Sequence, residues 1–348
     1  MNNLFLKKII KNFNISLKQY DNYSASKYWK KSINKKKKLF KISNLNNFRN
    51  NGLSNNIDDF YINEDKSKKL FENLKNYCGE KFLTSLLETK NVGQAKKTQK
   101  FKNKFYTPTD LFCIKYAHEL KNNINLKKIN LICEIGQGFG LLASKLLKIK
   151  KFKMILIDLP ESNFITAYYL KILFPKKKIF TDIDLKKKRL SKKDLKKADI
   201  FIISPWTNIS DLRIDLFINS RSMMEMNKKS INNYFKLVQS KINIGGYFLC
   251  INKYYKDLVG YPIEFHLYPF DFKWKVIVSK RSWMQPAIHF FLLKRLENDD
   301  LKIKLEINRI KKNYLKLVKK DKFFLRRMLP ISFYRFYKNI KYFFLKDE

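Results

Sequence analysis

Three of the chain's nine glycines fall at alternate positions, Gly136, Gly138 and Gly140, in the segment Leu131-Ile-Cys-Glu-Ile-Gly-Gln-Gly-Phe-Gly140. The residues before them form a short apolar run that reads as a buried strand, with Glu134 near its end. A strand that turns sharply into a helix, while a ligand touches its backbone, needs residues without a Cβ and with access to positive φ. The segment therefore reads as a loop for a nucleotide-type cofactor. A second apolar run, Lys153-Met-Ile-Leu-Ile-Asp-Leu-Pro160, ends in an acid, Asp158, 18 positions after Gly140. A carboxylate there can accept both hydroxyls of a ribose.

Spacing bears on which cofactor this is. A dinucleotide loop wants a third small residue so that helix and strand pack closely. Gly136 and Gly138 fit, but the third position is Leu141. The pattern Glu134-x-Gly136-x-Gly138-x-Gly140 instead resembles the first motif of class I S-adenosylmethionine-dependent methyltransferases. Asp158 supports a nucleoside without choosing, because adenosylmethionine and nicotinamide cofactors both carry the ribose.

These residues need a scaffold, and the chain alternates short apolar runs with amphipathic segments from residue 131 onward, the pattern of a sheet covered by helices on both faces. Strands are expected at 131–135 and 154–159. Two segments compete for the third, 179–183 and Ala198 to Ser204, and the second, more apolar one is preferred. Further strands follow at 214–219 and 247–252, the last entered through Gly245-Gly246. Helices are expected from Phe139 to about Ile149, through Ile165 to Leu173 before Pro175, and around Ile231 to Val238. Trp274 to Ser279 and Ala287 to Leu293 suit an antiparallel hairpin. Residues 66–122 carry apolar positions at helical spacing, and Thr109 or Asp110 is placed to cap the helix through Phe112, Tyr116 and Leu120. Residues 1 to about 60 show little sustained period and read as a loosely packed extension.

A wider resemblance follows from Asp215-Leu-Phe-Ile-Asn-Ser-Arg-Ser-Met-Met-Glu-Met226, Tyr234-Phe, and Gly245-Gly-Tyr-Phe-Leu-Cys-Ile-Asn-Lys-Tyr-Tyr255. With Ser204-Pro-Trp206, Tyr268-Pro-Phe-Asp271, Trp274, Ser282-Trp-Met-Gln285, His289 and Arg295, they resemble a bacterial family of sugar O-methyltransferases over roughly residues 106–296. The resemblance implies an α/β, class I methyltransferase (Rossmann-like) three-layer sandwich with a mainly parallel sheet and a terminal antiparallel hairpin. It implies methylation of a sugar hydroxyl in surface polysaccharide or glycolipid biosynthesis, with S-adenosylmethionine as cofactor and a sugar or glycan as acceptor. On this reading Glu134, Gly136, Gly138 and Gly140 receive the cofactor's amino-acid end and Asp158 its ribose. Asn219, Ser220 and Glu225 stand near the methionine moiety, and Trp206 stacks on adenine or a sugar ring.

An alcohol is hardly acidic, so a general base is expected. The chain has three histidines. His118 reads as structural and His289 lies in the hairpin, which leaves His266, in the loop after Gly260, as the preferred base, with Asp271 and Glu264 as alternatives. Glu225, Glu264 and Asp271 could gather around a metal, but no spacing compels it, and none is expected.

Net charge is +44 from 74 basic and 30 acidic residues. Lysines are dispersed, as at Lys35 to Lys38 and Lys186 to Lys188, while Asn and Ile are abundant and Gly and Pro scarce. That bias reads as AT-rich coding rather than a nucleic-acid site, so no specific nucleic acid is expected; methylation of RNA or another polyanion, and a non-catalytic binding scaffold, remain the competing functions. The four cysteines show no paired spacing, and no apolar stretch reaches the roughly 18 residues that cross a bilayer. With no secretory pattern at Met1 to Ile15, a cytoplasmic protein is expected. The organisation is thus an extension and helical preamble over 1–105, the methyltransferase domain over 106–296, and a basic helical tail over 297–348. In that tail Phe323-Phe324-Leu325 and Phe343-Phe344-Leu345 alternate with basic residues, a pattern that suits a membrane surface, the core, or a partner copy of the chain.

Overall fold

The computed structural model describes residues 3–20, 25–54 and 63–320. Its N-terminal part is helical: α1 (Asn3–Tyr20), α2 (Lys27–Lys36) and the short α3 (Ile42–Leu45). Ile9, Phe13, Ile33, Leu45 and Phe48 are buried and belong to the same apolar cluster as the central sheet. The expected loose extension is therefore a packed part of the core, held because its sparse apolar side chains find a partner surface elsewhere in the chain.

α4 (Glu64–Cys78) and α5 (Glu80–Leu86) follow, then a small hairpin of β1 (Gln99–Phe101) and β2 (Lys104–Tyr106). α6 (Pro108–Asn123) begins two or three residues earlier than Thr109 or Asp110 would cap it. Thr107 is the cap, Pro108 occupies the first turn, and Asp110 completes the reciprocal bond to the Thr107 backbone N–H.

The remaining elements are β3 (Leu131–Ile135), α7 (Leu141–Ile149), β4 (Lys153–Ile157), α8 (Pro160–Leu173), β5 (Ile179–Thr181), β6 (Ile200–Ile203), β7 (Ile214–Ser220), α9 (Lys228–Lys241), β8 (Ile242–Lys253), β9 (Tyr255–Lys256), β10 (Ile263–Glu264), β11 (Trp274–Arg281), β12 (Ile288–Arg295) and α10 (Lys302–Lys320). Eight strands form one sheet in the order β11-β12-β8-β7-β3-β4-β6-β5. β3 to β8 run parallel, and β12 pairs antiparallel with both β8 and β11. This is the class I methyltransferase sheet with its terminal hairpin. Both candidates for the third strand form, and the preferred, more apolar one takes the inner place as β6 while β5 lies at the edge. Along β3 the side chains alternate: Ile132 enters the cluster under α6, α7 and α8, whereas Leu131, Cys133 and Ile135 enter the one with α9 and α10.

A buried ionic knot fastens the preamble to this core. Lys145 of α7 is fully buried, with its Nζ 2.5 Å from Glu88 Oε1 and 2.6 Å from Asp110 Oδ1, and Lys148 approaches Glu88 at 2.8 Å. Burial opposes ionisation of Asp110, but Lys145 and Arg49 outweigh it and hold the carboxyl at about 2.

At the other end, α10 lies against β11, with Ile303, Ile310 and Tyr314 buried. The described part of the tail thus packs on the core; Phe323-Phe324-Leu325 and Phe343-Phe344-Leu345 lie outside the described residues. Among the described residues no helix is long and apolar enough to cross a membrane.

Candidate functional site

β4 and β7 flank β3 on opposite sides, so the chain reverses its direction of growth there and a crevice opens at the strands' carboxyl ends. Gly136, Gly138 and Gly140 line the turn with φ of 73°, 60° and 86°. The Gly138 N–H donates to Asp158 Oδ2 at 2.8 Å, and Thr166 Oγ1 donates to the Gly138 carbonyl at 2.7 Å. A Cβ on Gly136 would stand 1.9 Å from Ser222 Oγ, whereas one on Gly138 would meet nothing within 4 Å. Ser222 cannot yield easily. Buried Asn219 donates to Ser222 Oγ at 2.6 Å and to the Ile135 carbonyl at 2.9 Å, and accepts from Asn252 Nδ2 at 2.9 Å. This clamp ties the ends of β3, β7 and β8 together.

The two glycines should therefore respond differently to alanine. Gly138→Ala should cost only the left-handed backbone term, about 1–2 kcal/mol. Gly136→Ala should add about 1–3 kcal/mol of overpacking. Urea unfolding of both variants measures the difference, and equal costs would mean that Ser222 moves aside freely.

The crevice widens into a cavity of about 720 Å³. One end is acidic. Glu134 and Glu161 are buried, and among the described residues Glu134 Oε2 has no hydrogen-bond partner and the Glu161 carboxyl has none beyond its own backbone N–H. Burial, reinforced by the nearby Asp158 carboxylate, pushes Glu134 up to about 8. Glu161 is pushed up to about 8 by burial as well, with Asp158 adding to the shift and Lys36 opposing it. Burial raises Asp158 itself to about 6, against the bonds it accepts from the Leu159 and Gly138 N–H groups. The other end, past β7 and β8, carries Ser220, Arg221, Glu225, Lys253 and Lys256, with Lys256 paired to Glu225. Tyr28, Trp29, Ile33, Lys36 and Phe40 form a roof. Phe40 stacks on Phe13 of α1 at 4.9 Å between ring centroids, so the roof is packed in place.

Of the residues expected at the site, Glu134, Gly136, Gly138, Asp158, Ser220 and Glu225 line the cavity. Gly140 starts α7 behind the loop, with its Cβ position 3.0 Å from Thr166, and Asn219 stands behind the wall as the clamp. Trp206 is not part of the lining; it packs, partly buried, against the core, and its neighbour Pro205 reaches the cavity instead.

None of the three expected catalytic residues lines it either. His266 stacks on Tyr314 of α10 at 5.2 Å, with its Nε2 3.5 Å from Glu264 Oε2, and the Tyr314 hydroxyl donates to Glu264 Oε1 at 3.0 Å. Asp271 pairs with Arg295 at 2.5 Å. The turn Phe265–Leu267 is drawn to α10, away from the strand ends. That also separates Glu225, Glu264 and Asp271; among the described residues no group of three His, Cys, Asp or Glu is placed to hold a metal.

Glu161, Arg221, Lys253 and the roof were not legible as site residues. Glu161 had a faint signal, an acid directly after Pro160 at a helix start and three positions beyond Asp158.

No family model and no curated protein matches the sequence. Among solved structures, the chain is similar to the mitomycin 7-O-methyltransferase MmcR, at 11% identity and a TM-score of 0.37 over 54% of this chain and 57% of that one. It is similar to human N-acetylserotonin methyltransferase in complex with SAM, at 13% and 0.32 over 54% and 56%. It is also similar to the glycopeptide N-methyltransferase MtfA complexed with S-adenosyl-L-methionine, at 11% and 0.33 over 52% and 92%. The matched region is thus little more than half of this chain and of the first two.

Proposed function

We propose that the protein is an S-adenosylmethionine-dependent methyltransferase that O-methylates a sugar hydroxyl of a surface polysaccharide or glycolipid. The observation that carries the cofactor assignment is the set of buried carboxyls, Glu134, Asp158 and Glu161, beside the open backbone of Gly138. A nicotinamide dinucleotide would bring its anionic pyrophosphate to this loop, beside the Asp158 carboxylate, and would oppose ionisation of Glu134 and Glu161. A cationic cofactor favours their ionised forms, and its ammonium group finds in Glu134 Oε2 an acceptor that no group among the described residues uses.

When bound, the cofactor supplies an electrophilic methyl group on a sulfonium, and transfer leaves a neutral thioether and a methyl ether while the hydroxyl proton departs. The protein's part is positioning. Asp158 stands where ribose hydroxyls can be held, and the Asn219 clamp fixes the floor between the cofactor end and the acceptor end. Among the described cavity residues there is no histidine, and Glu225 is the carboxylate we assign to receive the proton. The volume, within the range of small-molecule sites, suits a cofactor with a small acceptor under a roof rather than a folded nucleic acid.

Calorimetric titration tests the assignment. S-adenosylmethionine or its demethylated product should bind, NAD should not bind with comparable affinity, and Gly138→Val should lose the binding while the chain stays folded, because its side chain projects into the cavity. Unchanged affinity in Gly138→Val would remove this loop from the site.

A further inference from the structure

Next to the acidic end of the cavity, past the ends of β7 and β8, cationic side chains outnumber carboxylates. Arg221 follows β7 directly, and its backbone sits at φ 65°, in the left-handed region that a branched or long residue rarely adopts. Its N–H donates to the Ile251 carbonyl at 2.6 Å, which fixes this conformation, and its guanidinium lies over the Phe112 ring at 5.6 Å. Its guanidinium also hydrogen-bonds the buried Tyr116 hydroxyl, while Arg221 Nε is buried with no hydrogen-bond partner among the described residues. Strain of this kind persists where the surroundings hold a side chain for a purpose.

Lys253, the last residue of β8, lines the same wall and forms no ion pair with any described residue. Burial lowers its pKa, and the positive charges of Lys256 and Arg221 lower it further, against only Glu225. Glu225 is already engaged by Lys256. Three cations thus face one carboxylate in a partly buried space, an arrangement that costs energy until an anion enters.

We propose that the acceptor is an anionic sugar, and that Arg221 and Lys253 seat its carboxylate or phosphate next to the hydroxyl to be methylated. The guanidinium offers a fork for two anionic oxygens and the ammonium a point charge beside it. The placement sorts the two ligands by charge, with the cationic cofactor at the Glu134 end and the anionic acceptor at the Arg221 end. Each is unfavourable in the other's place. The assignment of this anion to an acceptor rests on the methyltransferase reading; the existence of an anion site does not.

The test titrates the full chain, saturated with S-adenosylhomocysteine, with glucose 6-phosphate, glucuronate and methyl glucoside at physiological salt. At least one of the two anionic sugars should bind tenfold or more tightly than the neutral one, and which of them does so separates phosphate from carboxylate. Lys253→Met and Arg221→Gln should each abolish that margin while cofactor affinity stays within error, Lys253→Met should not lower the melting temperature of the ligand-free chain because it relieves like-charge repulsion, and Lys253→Arg should restore the margin. Equal binding of neutral and anionic sugars, no binding of either anion, or a preference that survives both substitutions would overturn the proposal. If the cofactor fails to bind while the anion preference still depends on Arg221 and Lys253, the anion site stands and the methyltransferase reading falls.

Discussion

Lys145→Met should lower the free energy of unfolding by about 3–5 kcal/mol at neutral pH, the usual cost of removing one partner from a buried ionic group. Lys145 is 0% exposed, and both Glu88 and Asp110 lie within 2.6 Å of its ammonium. Methionine fills the volume but leaves those carboxylates facing each other away from water. The pH dependence has a definite sign. Because the folded pKa of Asp110 is depressed to about 2, its contribution is full above the unfolded value near 3.9 and is lost as pH falls toward 2. The gap between wild type and Lys145→Met should therefore shrink in acid. Urea denaturation at pH 7 and pH 3 measures it, and a gap that stays constant would show that packing, not charge, sets the cost.

Glu134→Gln should weaken adenosylmethionine binding by about 100-fold, since a hydrogen-bonded buried charge pair is worth roughly 3 kcal/mol or more. The same variant should make the ligand-free chain more stable at pH 8. Glu134 and Glu161 have folded pKa values near 8, above the unfolded value of about 4.3, so the unfolded chain ionises first as pH rises. Stability then falls between about pH 4.3 and 8, and Asp158, raised to about 6, contributes over the lower part of that window. A cationic cofactor needs the ionised forms, so binding should release protons and tighten with rising pH. Calorimetry in buffers of different ionisation enthalpy reads the proton release, and melting curves at pH 5.5 and 8 read the stability. Binding without proton release would place the ammonium group elsewhere.

The floor of the site was legible in the sequence because its signals are local. Glycines are scarce, so Gly136, Gly138 and Gly140 stand out, and β3, β4, β7 and β8 are apolar runs that end at polar residues. The roof was not legible. Ile9, Phe13, Ser16 and Tyr20 do recur at helical spacing, but between lysines and asparagines the stripe is thin, and its burial depends on Phe164 of α8 and other distant surfaces. The base was sought by residue type. His266 has suitable chemistry, yet its location is decided by Tyr314, 48 positions further on, which no local pattern reports. Arg221 escaped for a related reason, because its orientation comes from a backbone conformation that arginine does not advertise.

The roof and the floor belong to stretches of chain far apart in sequence, and they face each other across the cavity, joined at its edge where Phe48 and Arg49 pack on Phe139. Tyr28, Trp29 and Lys36 are carried by a segment that Phe40 and Phe48 pin to the core, with Phe48 so close to Gly93 that a Cβ there would stand 2.4 Å from its ring. Substitutions at Tyr28, Trp29 or Lys36 can thus reshape the space above the strand ends without disturbing the glycine loop or the Asn219 clamp. What fits beneath the roof is therefore open to change from within residues 25–54, while the strand ends below keep their arrangement.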